Sequence, residues 1–234
     1  MRKLPSTRLM RLPVMGAMVA AATCMVAAPV AASVTGTGFA PHTWGGPLTN
    51  AGNWGGYAAS GGTYKTITAE WKEPPATCQS RSPLYAPWIG LDGYGDTTVE
   101  QTGVQTDCST GKPVVSAWYE MYPAAPVYYS NPASIGDEFQ ATVTYEGGSS
   151  YKLTLKDVTK GWSHTVTKSL NAKNASAEAI VEAPGGFPKL PDGVTFTGVK
   201  VDGKLFDTYH PSKLTSAGFT PGPLNGGTFT ITHK

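Results

Sequence analysis

The sequence predicts an all-β domain, either an antiparallel β-sandwich or a barrel. The chain of 234 residues holds 28 glycines and 19 prolines, and both residue types disfavour the interior of a helix. Many short segments alternate apolar and polar residues, as half-buried strands do, whereas no segment of a dozen residues has helical periodicity. Glycine, proline and asparagine separate these segments, which is typical of turns in such folds.

The clearest strand covers residues 66–72. Ile67, Ala69 and Trp71 fall on one face of this segment, and polar or charged side chains fall on the other. The same pattern recurs in residues 114–122, 138–146, 151–158, 164–170, 177–182, 194–201 and 228–233. The pair Gly147-Gly148 separates two of these segments and predicts a hairpin turn.

The N-terminal residues predict a secretory signal peptide in residues 1–32. A basic start is followed by an uncharged run at 14–28 and then by small residues, which is the order found in cleaved export signals. The run is shorter than the about 20 residues of a membrane span. We expect residues 33–52 to be a tail or a short pro-segment and residues 53–234 to form the folded domain.

The charge balance argues against a nucleic acid partner. Four basic residues, Arg2, Lys3, Arg8 and Arg11, lie in the expected signal peptide, and removing their charges from the formal +2 leaves −2. No basic stripe of the kind that binds phosphates remains. We therefore expect no nucleic acid partner and, once the signal is removed, no membrane.

Two of the three cysteines, Cys78 and Cys108, lie in the expected mature chain. In an exported protein two cysteines most simply form a disulfide, which across this loop would contribute roughly 3 to 4 kcal/mol on the loop-entropy model. Cys24 would suit a lipoprotein signal, but Thr23 precedes it where a small Gly or Ala is expected. The four histidines are scattered and no zinc-ligand spacing is present, so we expect no bound metal or other cofactor.

One triplet concerns modification rather than catalysis. Asn174, Ala175 and Ser176 form an acceptor for N-glycosylation, which is used only in a host that glycosylates exported proteins.

Familiar hydrolase motifs are absent from the sequence. It has no G-x-S-x-G elbow, no H-E-x-x-H and no D-T-G. Instead, aromatic, carboxylate and amide side chains gather in residues 53–57, 88–93, 100–103, 118–123 and 178–182. Such segments favour a groove that binds a polymer, and either a peptide or a sugar chain would fit it.

Strand alternation selects Glu182 as the candidate proton-transfer group. Glu178 and Glu182 share one face of their strand, where Glu182 has largely apolar neighbours. Apolar surroundings raise the pKa of a carboxyl group, which suits proton transfer in mildly acidic solution. On another strand Glu120 shares its face with Trp118 and Tyr122, so a second carboxylate lies between aromatic rings.

The five segments, in this order, resemble the glutamic peptidases, or eqolisins, a family of secreted acid endopeptidases. The matching motifs are N-W-G-G at 53–56, W-[IV]-G-[IL]-D-G at 88–93, Q-T-G at 101–103, W-Y-E-x-Y-P at 118–123, G-D at 136–137 and A-E-x-I-[IV]-E at 177–182. Six motifs in order, from about Asn53 to the C-terminus, make the resemblance fairly specific. It implies a sandwich of two large, curved antiparallel sheets, a concanavalin-like or jelly-roll architecture.

The resemblance also implies the site residues. The catalytic pair would be Gln101 and Glu182. The residues around the scissile bond would be Trp54, Trp88, Asp92, Glu120 and Tyr122. Apart from the resemblance, we expect Glu120 to hold the Gln101 amide rather than to transfer protons itself. The chain departs from fungal members at Ser116, Met121 and Ala183, which bears on specificity more than on the reaction.

The implied reaction is peptide hydrolysis without a covalent intermediate. Ionised Glu182 would take a proton from water as the water attacks the peptide carbonyl, and would return it to the leaving amine. Gln101 would orient the water and stabilise the oxyanion. The reaction depends on a single carboxylate that must be charged, and the leaving nitrogen is only weakly basic. Together these features predict an acidic pH optimum for the hydrolysis. We expect polypeptide substrates and a secreted monomer.

Two other classes of function stay open on the residues alone. A β-sandwich glycoside hydrolase could use Glu120 and Glu182 as acid and nucleophile, with Trp54 and Trp88 stacking on sugar rings. A non-catalytic carbohydrate-binding or adhesion domain would also present many aromatic residues. Casein hydrolysis against sugar release separates the two enzymes, and a lectin would keep its binding after substitution of the catalytic pair.

Overall fold

The computed structural model describes residues 52–81, 84–184, 186–187 and 189–233. These residues form fifteen β-strands and two short 3-10 helices, Phe206–Tyr209 and Ser216–Gly218. Within them, no helix has the length and apolarity needed to cross a bilayer. The expected signal peptide and almost all of the expected pro-segment lie outside the described residues, so both stay predictions.

The first sheet has seven antiparallel strands in the order β13-β1-β10-β3-β4-β5-β6. Its strands are β1 (Trp54–Ser60), β3 (Leu84–Leu91), β4 (Val99–Asp107), β5 (Val114–Tyr122), β6 (Val127–Tyr128), β10 (Ser176–Glu182) and β13 (Ser212–Thr215). Strand β10 lies between β1 and β3, which are both far from it in the sequence, so residues far apart in the chain meet on this sheet.

The second sheet has eight antiparallel strands, with the order β14-β15-β11-β2-β7-β8-β9 and β12 paired to β11. Its strands are β2 (Thr66–Lys72), β7 (Glu138–Gly147), β8 (Ser150–Asp157), β9 (Trp162–Ser169), β11 (Val194–Val201), β12 (Lys204–Leu205), β14 (Phe219–Pro221) and β15 (Phe229–His233). The predicted hairpin joins β7 to β8, where Gly147 and Gly148 take φ values of 106° and 67°. The all-β, two-sheet prediction is confirmed.

The main core lies between the two sheets. Ile67, Ala69 and Trp71 point into it, as the alternation in residues 66–72 predicted, and are at most 3% exposed. The Trp71 ring stacks on Phe139 at 5.8 Å and meets Phe196 at 5.6 Å. Burying a large apolar side chain stabilises a fold by about 1.5–3 kcal/mol, so this interface holds the sheets together.

The first sheet also carries a second apolar cluster on its other face, called the site face here. Trp54, Trp88 and Trp118 are the largest members of this cluster, and Ile180 and Leu214 belong to it. Nearly every residue of β1, β3, β4 and β10 is buried, on the site face as well as on the face that meets the second sheet. A strand buried on both faces does not alternate between apolar and polar residues. The alternation in the sequence therefore does not reveal β1, β3 and β4.

The predicted disulfide is present. Cys78 and Cys108 are bonded, with their Cα atoms 5.5 Å apart. The bond ties the loop that follows β2 to the end of β4, and so links the second sheet to a strand of the site face.

The glycosylation triplet lies inside the folded domain. Asn174 is 6% exposed and has a positive φ of 56°. Its Oδ1 accepts a 2.8 Å hydrogen bond from the Tyr151 hydroxyl, and its backbone N–H donates to Asp92 Oδ2 over 2.8 Å. The Asn174 side chain therefore serves as a structural anchor for the loop before β10.

Candidate active site

Glu182 ends β10 on the site face, opposite Trp54 in the β1–β10 ladder. Its side chain is buried, and each carboxylate oxygen accepts a hydrogen bond. Asn53 Nδ2 donates to Oε1 over 2.8 Å, and Trp88 Nε1 donates to Oε2 over 3.2 Å. Glu182 is thus a carboxylate in an apolar, aromatic setting whose orientation is fixed by two neutral donors.

Gln101 lies in the middle of β4, paired with Gly90 of β3 on one side and with Glu120 of β5 on the other. It is fully buried, and its Nε2 donates to Glu120 Oε2 over 2.6 Å. Its Oε1 has no hydrogen-bond partner among the described residues. The amide therefore has one end held and an acceptor atom left to receive a donor from a bound molecule.

The ladders place Gln101 and Glu182 on either side of the same strand, β3. Gln101 is opposite Gly90, and Glu182 is opposite Ala86, four positions earlier. Strand alternation puts both side chains on the site face, together with Trp88 between them along the strand. The Trp88 indole donates to Glu182, and its Cζ3 lies 3.1 Å from the position that a Gly90 Cβ would occupy. The Trp88 indole therefore extends from the Glu182 carboxylate towards Gly90, which is the ladder partner of Gln101.

Two glycines make room for these rings. A Cβ on Gly103 would lie 2.3 Å from the Pro87 carbonyl oxygen and 2.7 Å from Trp88 Cβ. A Cβ on Gly90 would lie 3.1 Å from both Gln101 Cβ and the Trp88 ring. The glycines of the W-I-G and Q-T-G motifs thus keep the space beside Gln101 open, which gives those motifs a packing reason.

The three aromatic residues predicted around the scissile bond, Trp54, Trp88 and Tyr122, lie in or against one cluster on the site face. The Trp54 and Trp88 rings meet edge to face, with centroids 4.9 Å apart. Tyr122 is half-buried and packs against the tryptophan cluster of the site face. Glu120 accepts the hydrogen bond from the Gln101 amide, as expected. Their contacts with substrate stay predictions.

Asp92 is placed differently from the other predicted site residues. It follows β3 with a positive φ of 65° and is fully buried. Its two carboxylate oxygens accept backbone N–H bonds from Asn174 at 2.8 Å and from Ala175 at 2.6 Å. Asp92 therefore fastens the loop before β10, and its contact with substrate stays a prediction.

A group of buried acids lies beside the site, around the end of β3 and the start of β4. Burial, together with the charges of Asp92 and Asp96, raises the pKa of Glu100 to about 9. Burial likewise raises the pKa of Asp92 to about 6, with Asp96 adding to the effect. Glu178, also fully buried, has its pKa raised well above its usual value by desolvation. These carboxyl groups favour the protonated, neutral form.

The residue that sequence reasoning missed is Asn53. Its N-W-G-G motif was recognised, but no role was assigned to the amide. Asn53 and Glu182 are 129 positions apart, and only the β1–β10 register shows that they meet. Single-sequence patterns hold no signal for that pairing.

The comparison with known families agrees with this fold. The model of the Peptidase A4 family matches residues 52–217. The chain therefore belongs to that family, the eqolisins or glutamic peptidases, as its six motifs implied. It is a glutamic-type endopeptidase with polypeptide substrates, and the glycoside-hydrolase and carbohydrate-binding alternatives are not carried forward.

Two fungal peptidases are similar to this chain. The chain is 29% identical to aspergillopepsin-2 of Aspergillus niger over 204 residues, covering 76% of this chain and 70% of the relative. It is 33% identical to scytalidopepsin B of Scytalidium lignicola over 138 residues, covering 56% of this chain and 51% of the relative. A crystal structure of scytalido-glutamic peptidase with a transition state analog inhibitor superposes with a TM-score of 0.68 at 25% identity, over 78% of this chain and 98% of that one.

Proposed function

We propose that this endopeptidase works at acidic pH by attack of water on the peptide carbonyl, with Glu182 as general base and Gln101 as orienting and oxyanion-binding amide. The observation that carries the proposal is the placement of both side chains on the site face, on either side of β3 and next to the same indole. The reaction has no covalent enzyme intermediate.

Glu182 performs the proton transfers. In its ionised form it removes a proton from the water whose oxygen attacks the carbonyl carbon, and a tetrahedral intermediate forms. The proton then passes from Glu182 to the leaving nitrogen as the C–N bond breaks. The donors from Asn53 and Trp88 are neutral, so they support the carboxylate without preventing its protonation during the cycle.

Gln101 supplies the polar contacts that change most during the reaction. One N–H is bonded to Glu120, which leaves the second N–H for the developing oxyanion and Oε1 for a hydrogen of the attacking water. A single donor at such a position contributes about 3 kcal/mol to lowering the barrier. Glutamine cannot titrate, so only one of the two catalytic groups depends on pH.

An acidic working range is supported by the buried acids. Glu100 and Glu178 are fully buried inside the fold, where desolvation disfavours the charged carboxylate. They are accommodated best when protonated, and that state is favoured by acid. The catalytic base, by contrast, must be ionised, which sets the lower limit of the range.

The remaining expectations follow from the same function. Trp54, Trp88, Glu120 and Tyr122 are proposed to line the substrate site. The signal peptide expected in residues 1–32 would direct the enzyme out of the cell, where we expect a monomer acting on extracellular polypeptides.

The test is digestion of a denatured protein such as casein across a pH series, followed by mapping of the cut sites. We expect cleavage near about pH 4, where a typical carboxylate is partly ionised, and loss of cleavage in Glu182→Gln and Gln101→Glu. Glu178→Gln is the matched control, because Glu178 lies on the same face of the same strand and is equally buried. Full activity in Glu182→Gln, or loss of activity in Glu178→Gln alone, would overturn the assignment of the base.

A further inference from the structure

We propose that Asn53 is a positioning residue for the general base, and that its side-chain amide keeps the Glu182 carboxylate ionised and aimed at the attacking water. This inference rests on the proposed function of Glu182. It assigns a task in the reaction to the residue that immediately precedes the first strand.

Asn53 is fixed to β10 by both its backbone and its side chain. Its carbonyl oxygen accepts a 3.0 Å bond from the Ala183 N–H, and its Nδ2 donates to Glu182 Oε1 over 2.8 Å. The next residue, Trp54, is the ladder partner of Glu182. The backbone of Asn53 therefore cannot move away from the carboxylate without opening the end of the β1–β10 pairing.

Asn53 and Trp88 donate to different oxygens of Glu182. Asn53 occupies Oε1, and Trp88 occupies Oε2 at the longer distance of 3.2 Å. A hydrogen bond to an ionised acceptor is stronger than one between neutral groups, so the short Asn53 bond favours the charged carboxylate against the surrounding indoles. It also fixes the plane of the carboxylate, and with it the direction of the remaining lone pairs.

An amide suits this position better than a cation would. Lysine or arginine next to Glu182 would hold it ionised so firmly that it would be a poor base. A neutral N–H donor orients the carboxylate while leaving it able to accept a proton. The identity of the donor, and not only its size, should therefore determine the rate.

The decisive variant is Asn53→Ala, which removes the donor without adding a charge, and a role in packing alone would leave the acidic limb of its kcat profile in place. Asn53→Asp keeps the shape of the side chain and removes the donor, but its new carboxyl group also repels the Glu182 carboxylate. Asn171→Asp, at an exposed position in the loop before β10, controls for the added negative charge.

The experiment measures kcat and KM on one peptide substrate across the acidic range, with thermal unfolding recorded for each variant. In Asn53→Asp and Asn53→Ala we expect kcat to fall about 10- to 100-fold with a much smaller change in KM. The acidic limb of the kcat profile should move to higher pH by about one unit, because the ionised base has lost a donor. Asn171→Asp should match the parent protein.

Glu182→Gln is measured in the same series so that the two proposals can fail separately. An inactive Glu182→Gln together with a parental acidic limb in a folded Asn53→Asp or Asn53→Ala would overturn the role of Asn53 only. Unfolding of both Asn53 variants would also overturn it, because the residue would then be structural. An active Glu182→Gln would remove the general base and the positioning role together.

Discussion

Gln101 Nε2 and Glu120 Oε2 lie 2.6 Å apart, and the two residues are direct partners in the β4–β5 ladder. The ladder aligns their backbones, and the hydrogen bond determines which end of the Gln101 amide faces Glu120. Because a carboxylate only accepts hydrogen bonds, the amide nitrogen must point to it and the amide oxygen must point elsewhere. Glu120 thereby sets the direction in which Gln101 presents its acceptor.

Replacing Glu120 with glutamine should therefore impair the orientation of Gln101. The new amide can donate or accept, so either end of the Gln101 side chain could face it. A hydrogen bond to a charged partner contributes about 1.5–3 kcal/mol, and we expect kcat of Glu120→Gln to fall by about tenfold or more with little change in KM. Steady-state kinetics on a peptide substrate measure both constants. Glu138→Gln, at an exposed position of β7, should leave them unchanged, and a rise in KM alone would instead indicate direct contact of Glu120 with substrate.

The buried acids should make the fold most stable in acid. In the folded state the pKa is about 9 for Glu100, about 7 for Glu73 and about 6 for Asp92, with burial as the main cause. In the unfolded chain these groups release their protons near about pH 4. Between the two values the folded state binds more protons, so the free energy of unfolding falls as pH rises. The fold should be most stable below about pH 4. Above that pH, the contribution of each group to the free energy of unfolding should keep falling until the pH passes the folded-state pKa of that group.

The substitution Glu100→Gln tests this pH dependence. The variant keeps the shape of the side chain but cannot acquire a charge, so the free energy of unfolding should decline less between acidic and alkaline pH than in the parent protein. Denaturant unfolding at several pH values measures the slope. Glu138→Gln serves again as the exposed control. If the free energy of unfolding of Glu100→Gln falls with pH as steeply as that of the parent protein, other groups cause the loss of stability at alkaline pH.

Removal of the disulfide should lower stability by a predictable amount. Cys78 and Cys108 enclose a loop with a sequence separation of 30, for which chain entropy gives a stabilisation of about 3–4 kcal/mol. For a domain of this size, the double change Cys78→Ser with Cys108→Ser should lower the Tm by about 10 °C. Calorimetry at a fixed acidic pH measures the shift, and the reduced parent protein should show a similar one. An unchanged Tm would contradict the expectation.

The sequence was sufficient for the fold class because half-buried strands such as β2 show their inward and outward faces as alternation. It was insufficient for β1, β3 and β4, whose burial on both faces removes that alternation. In the site, motif order led to Gln101 and Glu182. The Asn53–Glu182 contact depends on strand register, and the placement of Asp92 depends on backbone bonds to the Asn174 loop. Neither relationship is local in sequence.

The enclosed carboxamide of Asn174 has a practical consequence for producing the enzyme. A glycan attached to its nitrogen during translocation would occupy the space between β8 and the loop that precedes β10, where the Tyr151 hydroxyl now bonds. Chains carrying that sugar could not close this part of the domain. Expression in cells that lack N-linked oligosaccharide transfer avoids that loss, and in glycosylating cells the folded product should be the fraction that escaped the modification.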